Sequence, residues 1–514
     1  MKNIIIKLAV PLLVIIATLL VIYYAKGYRI NFTDNIVVQT GILHLETQPS
    51  RANFWLSEDF TGRTPRIVSS IPAGKYTLDI WLDEYHGIKY DVEIFAERSS
   101  PLSVFLFKKD PTKEIVEEIK GEIIDIHVNK ITNSALILVQ KDENTEQKSY
   151  DILRYQANTR FWQLGNNPST LFTFSTDIDS EIESFSVSTN SKNIILSITN
   201  QLEEINSQEE DGTLLAGKHL ISLDTQTVLA NIRDITEEEM KWSHDGETLV
   251  WKNEEGINKL NLKEPNLPTL VYTPPENSEI LYYDSYTNGE IYVLLKEEEK
   301  QFISLSRVSE ELEETSLIEE IHYQNEDRFL ENWREKETIP YQPFTNSPQS
   351  TLFVGQPKEF LISKENQKII FNTESAAYIY DIAEDKYVLI NPYETKILDF
   401  SPNGKKVSFL SLENEKLGFF RYDKEINNYS IKLGGSYTAN YINEEDCSDF
   451  LWHQNSQNIY YTCENSLYAT DIKTDSNINI VRKFGENILL EGRDKVTTLV
   501  KDNDALNIIE FTIN

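Results

Sequence analysis

What most constrains this chain is a short polar turn between apolar strand-like runs, which returns again and again after about residue 120. Its clearest copy is Leu398 to Asp423, LDFSPNGKKVSFLSLENEKLGFFRYD. Leu398 and Phe400 lead into Ser401-Pro402-Asn403-Gly404-Lys405, whose Pro, Asn and Gly supply the fixed and positive φ values of a tight turn. Val407, Phe409, Leu417, Phe419 and Phe420 resume the apolar runs, and Asp423-Lys424-Glu425 makes a second polar turn before Tyr429, Ile431 and Leu433. One copy therefore reads as a four-stranded antiparallel meander.

Related hairpins recur in eight places, among them FSVSTNSKNIILSI, MKWSHDGETLVW, FLISKENQKIIF and FLWHQNSQNIYYT. The second hairpin of the unit follows in seven of them, and the last unit ends in ALNIIEFTIN at Asn514, one strand short. Lys113 to Ile119, just before the first full unit, carries Ile115, Val116 and Ile119. We expect it to lie as the missing strand, which closes a ring and removes an open sheet edge. Repeats of roughly 35 to 55 residues, each one sheet, imply an all-β propeller of eight blades, with seven as the alternative. Residues 319–357 interrupt the repeat with an acidic stretch bearing Trp333 and then IPYQPFTNSPQS, too long for an ordinary connection. We read it as an insertion, a mobile surface loop in the first instance, with capping a face of the ring or contacting a partner as the alternative.

At 514 residues and 40% hydrophobic, the chain can bury two or three cores. Its 49 basic against 82 acidic residues leave a net charge of −33, which repels phosphate backbones and excludes nucleic acid as a partner. Ile4 to Tyr24 is apolar apart from Lys7, about the length that crosses a ~30 Å hydrocarbon layer. A cleaved signal peptide is the rival, but Tyr23 fits the small-residue cleavage rule poorly. The expectation is an uncleaved single-pass anchor in the cytoplasmic membrane, with everything after Tyr28 extracytoplasmic. The two cysteines share one repeat, CSDFLWHQNSQNIYYTC, each eight residues from Asn455. Cys447 and Cys463 then face each other across a hairpin, and a cross-strand disulfide in an oxidising exterior is expected, with two free thiols as the alternative.

From Gly41 to Phe107 the texture is period-two alternation, as in Tyr76, Leu78, Ile80 and Leu82, broken by Gly- and Pro-centred turns. The stretch TQPSRANFWLSEDFTGRTPRIVSSIPAGKYTLDIWLDEYHGIKYDVEI resembles a PEGA domain at Pro49, Ala52, Gly62, Thr64, Pro65, Pro72, Gly74, Tyr76, Gly87 and Tyr90. Arg51 stands where the family usually has glycine, and two residues separate Gly87 from its aromatic. The resemblance implies an extracytoplasmic β module of bacterial or archaeal surface proteins, concerned with scaffolding or envelope contact. The later repeats resemble TolB-type and WD-like propellers, most closely at Ser401 to Lys405. The expected order is thus a transmembrane anchor at 1–26, a connector at 27–40, a PEGA β-sandwich at 41–108, a linker and closing strand at 109–122, and the propeller at 123–514.

No H-E-x-x-H, G-x-S-x-G or phosphate-binding glycine loop is present in the sequence, and no catalytic, cofactor-binding or metal-ligating residue is assigned. His244 and His453 sit at turn positions and read as structural; Asp177, Asp179 and Glu181 lack the glycine and distal glutamate of a calcium loop. Trp242, Trp251 and Trp452 read as blade packing. The expected function is non-enzymatic binding or scaffolding in the cell envelope, with the propeller face meeting a protein or glycan. The alternative is a carbohydrate-active or other hydrolase or lyase with carboxylates gathered in the propeller funnel. Paired acids there, with an Arg or His in hydrogen-bond reach, would favour the enzyme.

Overall fold

The computed structural model describes residues 2–514 apart from 32–35, 58–59, 144–146, 158–167, 201–212, 232–239, 264, 266–267, 287–288, 298–301, 310–312, 325–329, 331–333, 335–338, 341–344, 347–350, 364–367, 384–385, 423–433, 443–445, 473–475, 483, 485–488, 492–494 and 503–504, and describes helix side chains over 12–24. Trp333, Tyr429, Ile431 and Leu433 lie outside the described residues. The N-terminal helix Lys2–Ala25 precedes a structure that is otherwise strands and turns. Among the described residues no helix is long and apolar enough to cross a membrane. The spanning anchor expected at 1–26, and with it the single-pass membrane placement, is corrected on that finding.

Two four-stranded sheets follow. In one, Ile36–Gln48 pairs antiparallel with Tyr28–Asn31 and Arg66–Pro72, and parallel with Ser99–Phe105. The stretch read as a connector, 27–40, thus carries paired strands. The other sheet runs Phe60–Arg63, Asn53–Ser57, Gly74–Trp81, Ile88–Ile94. Alternate residues such as Leu43, Leu45, Phe54, Leu78, Ile80 and Val92 meet in one core between them. The motif residues hold the turns. Thr64 is 3% exposed, takes a hydrogen bond from the Ala52 N–H at 3.1 Å and meets the Thr47 hydroxyl. The Tyr76 hydroxyl donates to the Pro72 carbonyl at 2.9 Å. Arg51 adopts φ 70°, the left-handed conformation that glycine enters freely.

From Glu122 onward, among the described residues, seven sheets follow, each built on four antiparallel strands in strict chain order and three of them joined by a fifth strand, beginning with Glu122–Asn129, Ser134–Glu143, Gln147–Gln156 and Ser169–Asp177. An eighth is built from Leu489–Glu491, Lys495–Asp502 and Ala505–Thr512, with Thr112–Lys120 paired antiparallel to the last of these. We number these sheets one to eight. In sheet six the fourth strand is Gly434–Tyr441, after the Tyr429 to Leu433 stretch expected there.

Each neighbouring pair of sheets shares an apolar core. Leu138 and Leu196 belong to the core of sheets one and two, Phe409 and Ile379 to that of five and six, Trp452 and Phe419 to that of six and seven. Leu506 and Ile508 of sheet eight pack with Ile137 and Val139 of sheet one, so the sheets close into a propeller-like ring. First strands face the centre. Lys130, after the first strand of sheet one, reaches the Phe450 carbonyl in the first strand of sheet seven at 3.1 Å, past sheet eight. Fourth strands form the outer rim.

The described strands of the insertion lie on that rim. Thr351–Val354 lies parallel to Glu314–Gln324 of sheet four, Thr345–Asn346 pairs with Lys386–Asn391 of sheet five, and Ile339–Pro340 pairs with Gly434–Tyr441 of sheet six. Leu330 is fully buried in the core between sheets four and five. The Arg334 guanidinium donates to the Pro392 carbonyl at 2.9 Å.

Candidate functional site

The repeated turns are occupied by their own structure. The Ser401 hydroxyl donates to Asn403 Oδ1 at 2.8 Å and accepts from the Lys406 N–H at 3.0 Å. Ser243 with Asp245, and Ser188 with Asn190, repeat the arrangement. The turn needs one left-handed residue; Gly246 and Gly404 supply it in two sheets, and Ser191 and Ser456 adopt it in two others. Each turn also leans on the next sheet. The Thr189 hydroxyl donates to the Ser243 carbonyl at 2.7 Å, and the Asn403 N–H to the Ser456 hydroxyl at 3.0 Å. Lys406, 1% exposed, sends its ammonium to the Ser456 carbonyl at 2.9 Å.

The other singled-out residues fall into the same scaffold. Cys447 and Cys463 are directly opposed across the first hairpin of sheet seven and form a disulfide with a Cα separation of 4.2 Å. Trp242 donates its indole N–H to the Ser186 hydroxyl at 2.9 Å and Trp452 to the Asp399 carbonyl at 3.3 Å, each in the preceding sheet. Trp251 is buried between sheets two and three. His453 is buried, and its Nδ1 accepts from the Asn455 N–H at 3.1 Å. Among the described residues no three His, Cys, Asp or Glu side chains gather as a metal site, Asp177, Asp179 and Glu181 included.

At the centre, two lysines meet acids under partial burial. Lys241 donates to the Tyr283 carbonyl at 2.8 Å and lies 3.5 Å above the Tyr282 ring. Burial lowers its pKa against the opposing pull of Asp284 and Glu359. Burial likewise lowers Lys130 and raises Asp449, outweighing their mutual attraction in both cases. Asp125, Asp284 and Asp399 each accept the N–H of the following residue at 2.7 to 2.9 Å. These acids are thereby engaged with the inner sheet edges. His244 Nε2 stands 3.6 Å from Asp284 Oδ2, beyond hydrogen-bond reach, while its ring stacks on Tyr286 at 4.1 Å.

A cleft of about 680 Å³ opens elsewhere, where the N-terminal β module meets the ring. It is lined by His86, Lys109 to Pro111, the outer-strand residues Asn477 to Arg482 of sheet seven, and Phe511 of sheet eight. Sequence reasoning missed it, because its walls come from four separated stretches of chain. Its frame is firmly held. Phe105 and Phe107, leaving the module's last strand, are buried with Tyr460, Ile480 and Phe511 between sheets seven and eight. The Lys108 N–H donates to the Ile513 carbonyl at 2.9 Å, the Lys109 N–H to Glu84 at 2.8 Å, and the Asn514 side-chain amide to Gln48 at 3.0 Å. The His86 N–H donates to the Phe107 carbonyl at 2.8 Å. Burial lowers the His86 pKa, Lys109 lowers it further, and Asp110 opposes both. His86 Nε2 and Asn477 Oδ1 are shielded from solvent and find no hydrogen-bond partner.

Residues 40–109 match the PEGA domain. No curated protein matches the chain. Among solved structures, it is similar to a eukaryotic initiation factor at 10% identity and a TM-score of 0.39, covering 79% of this chain and 96% of that one. Prolyl oligopeptidase B from Galerina marginata aligns at 10% identity and 0.34, over 74% of this chain and 53% of that one. A chain of a mitotic checkpoint complex aligns at 9% and 0.34, over 63% and 88%. Likeness at this level carries nothing about activity.

Proposed function

We propose that this protein is a non-catalytic binding and scaffold protein in which the PEGA module and a TolB-like propeller act as one rigid body. A protein or glycan partner is held where the two meet. The observation that carries this reading is the cleft. It is roomy, within the roughly 300 to 1,000 Å³ of ligand sites, and two buried polar atoms beside it, His86 Nε2 and Asn477 Oδ1, lack partners. A shielded polar atom without a partner costs about 1–3 kcal/mol, which an occupant bonding to it would recover.

The central acids support binding over chemistry, since Asp125, Asp284 and Asp399 already accept inner-strand N–H groups. Pull-downs with the full chain and with Arg482→Glu test the proposal. A partner retained by the parent and lost by the variant is expected; capture of the same proteins or glycans by both, or of none by either, overturns it.

A further inference from the structure

Three neighbouring sheets of the ring carry an added strand on the rim: sheet four takes Thr351–Val354, sheet five Thr345–Asn346 and sheet six Ile339–Pro340. Sheet seven comes next. Its outer strand Ser476–Val481 pairs with Ser466–Asp471 on one side, and among the described residues no strand pairs with the other. A strand's N–H and C=O groups point alternately to its two sides, so an outer strand presents a row of unpaired backbone groups. Here that row lies on a cleft, because Asn477 to Arg482 form one of its walls.

The edge is also undefended. The neighbouring outer strand, Thr112–Lys120 of sheet eight, carries Lys113, Glu114, Glu117, Glu118 and Lys120, the kind of charge that discourages strand addition. Asn477-Ile478-Asn479-Ile480-Val481 carries none. The charges that line the cleft are Lys109 and Arg482 against Asp110, with His86 beside them, a local excess of cation in a chain of net charge −33.

We propose that the open edge of Ser476–Val481 takes an extended, acidic polypeptide segment as a fifth strand of sheet seven. Its backbone pairs with the edge, and its carboxylates face Lys109 and Arg482. This rests on the cleft reading above and names the chemistry of the occupant. The edge is about 16 Å long at 3.3 Å per residue over 477–481, enough for a segment of about five residues. Strand addition draws affinity from main-chain hydrogen bonds and specificity from alternate side chains, so both contributions can be removed separately.

The test uses the full chain and a short capped peptide alternating valine and glutamate between terminal threonines. Binding is followed by anisotropy and by amide hydrogen exchange. Expected results are slowed exchange within 477–481 on binding, loss of binding when alternate peptide nitrogens are methylated, and roughly tenfold or greater weakening by Arg482→Glu. Exchange unchanged at 477–481, protection confined to another outer strand, equal binding of the methylated peptide, or no binding at all overturns strand addition. If partner capture still depends on Arg482 while the 477–481 amides stay unprotected, the cleft reading stands and strand addition falls. If capture ignores Arg482, the cleft reading falls as well.

Discussion

The main-chain N–H of Lys108 donates to the carbonyl of Ile513 at 2.9 Å, tying the exit of the PEGA module to the last strand of the ring. Beside this bond Phe105 and Phe107 sit 5.0 Å apart by ring centroid, and Phe107 meets the edge of Tyr460 at 6.0 Å. The module is therefore anchored in the core that two sheets share. Phe107→Ala is expected to destabilise that junction by about 3–5 kcal/mol and to split one thermal transition into two. A single transition at the parent temperature would refute this docking.

The Cys447–Cys463 disulfide encloses a sequence separation of 16, for which chain-entropy reasoning gives about 3 kcal/mol. Cys463→Ser should lower stability by that order, and the denatured, unreduced parent should take up no thiol reagent. Labelling of two thiols in that state would remove the bridge.

Arg51, at φ 70°, holds the left-handed conformation that glycine enters freely. A left-handed non-glycine residue costs about 1–2 kcal/mol, and glycine gives back roughly 0.5–1 through the unfolded chain. Arg51→Gly should thus stabilise the PEGA module by about 0.5–1 kcal/mol in urea unfolding. A loss of stability would show that the Arg51 side chain matters more than its backbone.

His86 is held below the ordinary histidine pKa by burial and by Lys109, with Asp110 opposing. The fold favours its neutral form, so this contribution is present above the unfolded value of about 6.5 and is lost as pH falls through the lower folded value. Urea midpoints should drop between pH 7.5 and 5.5 in the parent and drop less in His86→Gln. Equal drops would place the pH dependence elsewhere.

Lys406, 1% exposed with its ammonium on the Ser456 carbonyl, joins sheet six to the turn of sheet seven. Lys406→Met removes the donor and leaves that carbonyl short of a partner, which should cost about 1–3 kcal/mol. An unchanged unfolding midpoint would mean that water replaces the bond without penalty.

Much of this architecture is local, and local structure is legible in a sequence. The Ser401 to Gly404 turn follows from short-range hydrogen bonds and one left-handed residue, so its copies announce hairpins one by one. Cys447 and Cys463 could be paired because hairpin register is set by the turn between them. The last unit is a strand short in sequence, and Thr112–Lys120 is the strand that lies there. What the tertiary structure decided depends on which distant surfaces meet. The apolar run after Ile4 suggested a membrane span, yet among the described residues no helix is long and apolar enough to cross a membrane. The insertion at 319–357 was legible only as a break in the repeat, and its described strands pair with sheet edges on the rim, a choice that no local pattern encodes. The cleft is the plainest case. His86, Lys109 and Arg482 are ordinary residues in three ordinary stretches, and they line one surface only because Phe105 and Phe107 bury themselves between sheets seven and eight.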